Sequence, residues 1–200
     1  MTVTQERVLK SVINVKISVV IALFVPRDIL FKTIQKQALI NERCKLYKNF
    51  LVLKSCPVTY SFFKKRDGST HINLTGLSST HEVSYYSDRI ISRLKSMFPS
   101  ASLGEQKTFV DAITAKFDVK NPVHLTKLAE KISTNSRENW SIKNTSYNSE
   151  SFPGLFVNTS FGTLIFFASG KILLLGANSI EHCEKSANII EEITGRSIEE

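Results

Sequence analysis

Residues able to do acid–base, nucleophilic or metal chemistry are few in this chain and poorly placed for it. The four histidines (His71, His81, His124 and His182) show no metal-ligand spacing. Adjacent His182 and Cys183 cannot both face one site on a helix. There is no Gly-rich phosphate loop and no nucleophile motif. Asp67 beside Gly68 is a turn pair rather than a general base. An enzyme is therefore not expected, and neither a cofactor nor a metal is implied. The aromatic and basic residues instead collect around two turns, in "TYSFFKKRDGSTHINLTG" and "GTLIFFASGKILLLGAN". Such side chains bind surfaces rather than transform substrates.

The second of these stretches is unusual for a hairpin. A half-exposed antiparallel pair alternates apolar and polar residues. Here Leu164 and Phe166 point one way and Ile165 and Phe167 the other, and neither set suits water. On pattern alone the pair is either a central one buried on both faces or one whose second face a partner covers.

The whole chain bounds the choice. Two hundred residues with 42% hydrophobic content can build a proper core, as one medium domain or two small ones. A net charge of +8 favours an anionic partner. Residues 1–100 hold 16 Lys and Arg against 6 Asp and Glu, residues 101–200 hold 10 against 12, so the basic character sits in the first half. Cys44, Cys56 and Cys183 form no CxxC pair, and their odd number suggests reduced thiols in an intracellular protein. The run "VINVKISVVIALFVP" carries Lys16 and falls short of the ~20 residues that span a bilayer, so it reads as a strand.

An internal repeat organises these elements. Set "KISVVIALFVPRDILFKTIQK" from Lys16 over "AITAKFDVKNPVHLTKLAEKI" from Ala112, without a gap. Ile17 then falls on Ile113, Ser18 on Thr114, Pro26 on Pro122 and Ile29 on Leu125. Each copy is a strand, then a Pro suited to a first helical turn, then a helix. Further on, "INLTGLSSTHEVSYYSDRIISRL" lines up with "ILLLGANSIEHCEKSANIIEEI", Gly76 on Gly176 and Ile90 on Ile190. Each copy thus reads strand–helix–strand–strand–strand–helix, with hairpin turns at Gly68 and Gly170. The helices expected over Asp28–Ile40 and Leu125–Ile132 place apolar residues at three- and four-residue spacing. The expected division is an N-terminal extension (1–11), a first repeat (12–96), a linker (97–107), a second repeat (108–196) and a tail (197–200). The fold class is α+β: two pseudo-symmetric repeats whose antiparallel strands form a curved sheet with helices on one face.

The segment "SFPGLFVNTSFGTLIFFASGKILLLGAN" resembles the second repeat of the TATA-box-binding protein family. "KFDVKNPVHLTKLA" resembles that family's strand-to-helix passage into the repeat. The likeness is clear from about Ile113 to Ile193 and rests mainly on the internal repeat from about Val15 to Leu94. It implies a saddle whose concave sheet lies in the minor groove of double-stranded DNA, with helices outside. The family is itself a standard example of minor-groove binding by apolar wedges. The uncovered hairpin face would then be covered by DNA.

Roles carry over by position. Phe152 and Phe167 match the intercalating phenylalanines of the second repeat, Leu155 and Ile165 apolar residues of the concave sheet, and Lys171 a lysine at the phosphate rim. In the first repeat Phe63, or else Phe62, holds the hairpin wedge and Tyr47 or Phe50 the other. Thr75 matches a threonine set against central bases. Lys64, Lys65 and Arg66 extend the first hairpin where a phosphate could be held. The remaining concave positions are Lys16, Ser18, Ala112, Thr114 and Leu175. Lys16 and Ala112 stand where the family has base-reading asparagines, and Leu175 replaces a threonine. Asn158 and Asn178 stand where the family carries an arginine and a lysine. Glu150 matches an acidic loop residue that contacts transcription factor IIB.

The resemblance therefore implies a transcription initiation factor that binds and bends promoter DNA. Its expected partners are DNA, a factor-IIB-like protein and the polymerase machinery. It would act in the nucleus, or at the site of viral transcription if the divergence reflects a viral lineage. Two other readings stay open. One is a module of the same fold that has lost DNA and holds a protein on its concave face. The other is an accessory domain of a separate nucleic-acid enzyme.

Overall fold

The computed structural model describes residue 8 and residues 10–23, 25–101, 103–134, 141–196 and 198, with the backbone alone for residues 22 and 103–106. Trp140 lies outside these residues. By contact the chain divides into two compact units, Asn14–Asp111 and Met1–Ile13 with Ala112–Glu200.

The first unit holds β1 (Val12–Leu23), α1 (Arg27–Lys36), β2 (Arg43–Leu46), β3 (Phe50–Ser55), β4 (Val58–Lys64), β5 (Thr70–Leu77) and α2 (Glu82–Met97). Its antiparallel strands run in the order β2–β3–β4–β5–β1. The second unit holds β6 (Leu103–Asp118), α3 (Leu125–Thr134), β7 (Ile142–Ser146), β8 (Gly154–Thr159), β9 (Thr163–Phe167), β10 (Lys171–Ala177) and α4 (Ile180–Thr194). Its order is β6–β10–β9–β8–β7. Residues of β6 up to Asp111 belong by contact to the first unit.

Each helix buries one apolar stripe. In α1 the stripe is Leu30, Phe31 and Ile34, and in α2 it is Ile90, Ile91 and Leu94. Leu125, Leu128 and Ile132 form it in α3; Cys183, Ala187, Ile190 and Ile193 do so in α4. Local chemistry fixes the ends. The Glu82 carboxylate accepts from the amides of Ser78 and Ser79 at 3.0 and 3.2 Å, satisfying donors ahead of α2. Ser179 caps α4 by accepting from the His182 amide, and Gly195 closes it at φ 66°.

The sheets supply the facing stripe. Val58, Tyr60 and Phe62 of β4 and Ile72 and Leu74 of β5 are buried, while Thr59, Ser61, Phe63, His71, Asn73 and Thr75 between them are only partly covered. Tyr60 lies near Arg89 and Tyr86 of α2, and burial pushes its phenol up to about 12. In the second unit Leu164, Phe166, Ile172 and Leu174 are fully buried on the helix side. Burying a side chain of this size is worth ~1.5–3 kcal/mol.

The repeat shows in the backbone as well. Gly76 and Gly176 end the last strand of each copy at φ 93° and 77°, a conformation that other residues avoid. A Cβ at Gly76 would also sit 2.6 Å from the Pro57 carbonyl oxygen.

Two expectations need correction. Each copy has four strands after its first helix where the sequence pattern showed three, the extra one being β2 or β7. These edge strands, "RCKL" and "IKNTS", are exposed along most of their length, so no apolar alternation announces them. Backbone pairing aligns them, Arg43 opposite Lys54 and Asn144 opposite Asn158. The first helix also stops at Lys36 rather than Ile40, and Ile40 is fully exposed. Buried Glu42 accepts from the Leu39 amide at 2.8 Å, and Arg93 donates to the Gln37 carbonyl at 2.8 Å. These bonds turn the chain out of the helix.

Candidate nucleic-acid interface

The faces turned away from the helices carry the candidate site, and each unit is built separately. In the first unit β-register puts Phe50 opposite Phe63, Ser61 opposite Asn73, Thr59 opposite Thr75, and Asn73 opposite Ser18. All of these share the open face, because the residues alternating with them are buried under the helices. Tyr47, Phe50 and Phe63 stack in a row, with ring centroids 4.6 and 5.2 Å apart. Tyr47 forms its exposed end, with Lys45 Nζ 5.0 Å from the ring.

Next to this row the face is polar. The Ser18 hydroxyl lies 2.6 Å from Asp111 Oδ2 and 3.0 Å from Asn73 Oδ1. Lys16 Nζ stands 3.6 Å from the same carboxylate oxygen. Partial burial, followed by the charge of Lys65, pushes His71 below its ordinary pKa. The neutral imidazole is thus favoured on this face.

In the second unit Phe156 faces Ile165, Gly154 faces Phe167, Asn158 faces Thr163 and Leu173 faces Lys116. Phe152 lies 5.1 Å from the Phe156 ring and 6.1 Å from the Phe167 ring. Gly154 makes room for it: a Cβ there would be 2.7 Å from Phe152 Cε1 and 2.9 Å from Ile165 Cγ2. Ile165 and Leu173 make the middle apolar, and Leu175 and Phe152 are its exposed large residues. A row of hydrogen bonds crosses β9, β8 and β7. Thr163 Oγ1 donates to Asn158 Oδ1 at 2.7 Å, and Asn158 Nδ2 donates to Asn144 Oδ1 at 2.5 Å.

The sequence-derived residues fall into place unevenly. The open faces hold Tyr47, Phe63, Ser18, Lys16 and Thr75 in one unit, and Phe152, Phe167, Ile165, Ala112, Thr114, Lys171 and Leu175 in the other. Ile165 is nonetheless 94% buried beneath its aromatic neighbours. Phe62 is fully buried on the helix side, so of that pair Phe63 alone is available.

Two residues depart from expectation. Leu155 pairs with Phe166 and is fully buried, so it belongs to the helix side of the sheet, and Phe156 takes the open face instead. Lys64 points to the helix side as well. Its ammonium group donates to the carbonyls of Leu23 and Gly68 and lies 3.4 Å from Thr70 Oγ1. Burial lowers its pKa, and it is not placed to hold phosphate. Lys65 and Arg66 remain exposed in the turn. Glu150 is exposed in the turn before Phe152, its amide bonded to Asn148 Oδ1 at 3.0 Å.

No group of three His, Cys, Asp or Glu among the described residues could hold a metal. Among the same residues, no helix is long and apolar enough to cross a membrane.

Comparison with known proteins shows what this arrangement is similar to. Residues 108–194 match the family model described as "Transcription factor TFIID (or TATA-binding protein, TBP)". The match covers the second repeat and stops short of the first. The chain as a whole is similar in structure to Methanococcus jannaschii TBP, at 21% identity and a TM-score of 0.68, over 92% of this chain and 97% of that one. The TBP fold therefore extends through the first repeat, which the family model does not reach. The α+β fold of two pseudo-symmetric repeats expected from the sequence is borne out. A second alignment, to the aspartokinase alpha and beta subunits at 9% identity, covers 90% of this chain and 93% of that one. Its TM-score of 0.29 carries no argument. No curated protein matches the sequence. The matched family is by its description one of transcription factors.

Proposed function

We propose that this chain is a TBP-like transcription initiation factor that binds promoter DNA in the minor groove, bends it, and recruits the transcription machinery. The observation that carries the reading is the aromatic cluster at the hairpin end of each open face: Tyr47, Phe50 and Phe63 in one repeat, Phe152, Phe156 and Phe167 in the other. Exposed rings at a sheet end are poor partners for water and good wedges between base steps, where unstacking is offset by the contacts a bent duplex permits. Lys65, Arg66 and Lys171, exposed at the two hairpin turns, supply charge for the flanking phosphates. Exposed Glu150, in the turn before Phe152, offers a protein partner an acidic contact.

The test is energy transfer across an end-labelled duplex titrated with protein, using an A·T-rich site and a G·C-rich control. Phe152→Ala and Phe167→Ala should each reduce the bend while leaving most of the folding stability, since both rings lie on the open face. Variants that bend DNA as the parent does would remove the wedge assignment. An unbent and unbound duplex with the parent protein would remove the DNA reading itself. The open face would then belong to a protein partner.

A further inference from the structure

We infer that Ser18, Asn73 and Asp111 form an acceptor cluster that selects a G·C pair under the first repeat, so that the chain reads its site in one direction. The inference rests on the DNA-binding reading above. It begins from the proton count of the cluster. Ser18 has one hydroxyl proton and two neighbouring acceptors, Asp111 Oδ2 at 2.6 Å and Asn73 Oδ1 at 3.0 Å. The carboxylate takes the proton, because the charge-assisted bond is the shorter and stronger. The structure sets Asn73 Oδ1 toward the hydroxyl. With the proton held by Asp111, two oxygens would face each other there. The amide is therefore inferred to turn over, donating its NH2 to the Ser18 oxygen and leaving its carbonyl oxygen to accept. Asp111 keeps its second oxygen, and Lys16 at 3.6 Å offsets the charge without consuming that acceptor.

A surface of this kind is badly matched to A·T pairs. In the minor groove, A·T and T·A present only acceptors, adenine N3 and thymine O2. Acceptors set against acceptors lose water and gain nothing. A G·C pair adds one donor, the guanine N2 amino group. Ser61 and Asn73 are also smaller than the Ile165 and Leu173 that hold the corresponding cross-strand places in the second repeat. The second repeat is the opposite. Its hairpin places Ile165 and Leu173 opposite each other, as the first places Ser61 opposite Asn73. Bulky apolar side chains there fill the space an amino group would need and offer it no acceptor. One repeat therefore accepts a G·C pair and the other excludes it, which orients the protein on an asymmetric site.

The experiment moves a single G·C pair step by step through an A·T-rich duplex and measures affinity by anisotropy. The expected result is one position, on one side of the site, where G·C tightens binding on the order of tenfold, the scale of one specific base contact. Replacing that guanine by inosine, which lacks the 2-amino group, should abolish the gain. Asn73→Val and Asp111→Ala should each abolish it too, with the cooperative unfolding of the parent protein retained. A penalty for G·C at every position, or inosine acting like guanine, would overturn the inference and leave the DNA-binding reading intact. Failure to bind any duplex would overturn both.

Discussion

The Glu42–Arg93 pair should govern the acid stability of the first repeat. Glu42 accepts two bonds from one guanidinium, at 2.6 and 2.8 Å, and a third from the Leu39 amide at 2.8 Å. Its side chain is fully buried and that of Arg93 is 20% exposed. The Arg93 bonds outweigh the cost of burial and lower the carboxyl from 4.5 to about 2. At about 1.36 kcal/mol per pH unit, that displacement corresponds to ~3 kcal/mol. The sign follows from the depressed value: the stabilisation is fully present above about pH 4.5 and is lost as the pH falls toward 2. The perturbation is Glu42→Gln, and the assay is urea unfolding of parent and variant at a series of pH values. The difference between the two curves should be ~3 kcal/mol near neutrality, at the low end of the cost of breaking a buried pair. It should shrink steadily between pH 5 and pH 2, and 0.5 M salt should change it little because the pair is shielded from solvent. A difference that stays level from pH 5 to pH 2 would refute the reasoning. The pair also bears on the site, since Glu42 immediately precedes β2 and the approach to Tyr47.

Two further outcomes follow from burial and placement. Lys65→Ala with Arg66→Ala should flatten the salt dependence of DNA binding, each lost phosphate contact lowering the slope by ~0.9. Lys64→Ala should lower stability and leave the slope alone, and binding titrations from low to high salt distinguish the two. Cys183 is buried within α4, and burial pushes its thiol up to about 12. Alkylation of the native protein at pH 8 should therefore label exposed Cys56 and spare Cys183, with mass spectrometry as the readout.

The repeat was legible because its markers are local. Pro26 immediately precedes α1, Pro122 stands three residues before α3 rather than in its first turn, and Gly76 and Gly176 hold the same left-handed conformation at strand ends. The hairpin faces were not legible in the same way. Phe62 and Phe63 are adjacent, as are Phe166 and Phe167, and period two sends one of each pair inward without saying which. Cross-strand partners decide the matter: Phe62 sits opposite buried Ile72, and Phe166 opposite buried Leu155 and Ile172. Leu155 and Lys64 were misplaced for the same reason, each being one residue out of phase with the open face. The polar rows left still weaker traces. Asn144 lies on an edge strand with no apolar signature, and Ser18, Asn73 and Asp111 are separated by 55 and 93 residues along the chain.

The two open faces are alike at their hairpin ends and unlike in their middles, and this separates bending from reading. Both ends collect three rings, although Phe50 in the first unit occupies the cross-strand place that Gly154 leaves empty in the second. The middles place Ser61 and Asn73 against Ile165 and Leu173. Substituting a ring should therefore change the bend angle and not the base preference, while Asn73→Val should change the preference and not the bend. A face built to hold a protein segment has no reason to divide its functions in this way. Loss of aromatic and polar contacts alike would then weaken one affinity together, with little dependence on salt. The opposite pattern, in which each class of substitution moves one property, belongs to faces that deform a duplex with their rings and read it with the residues beside them.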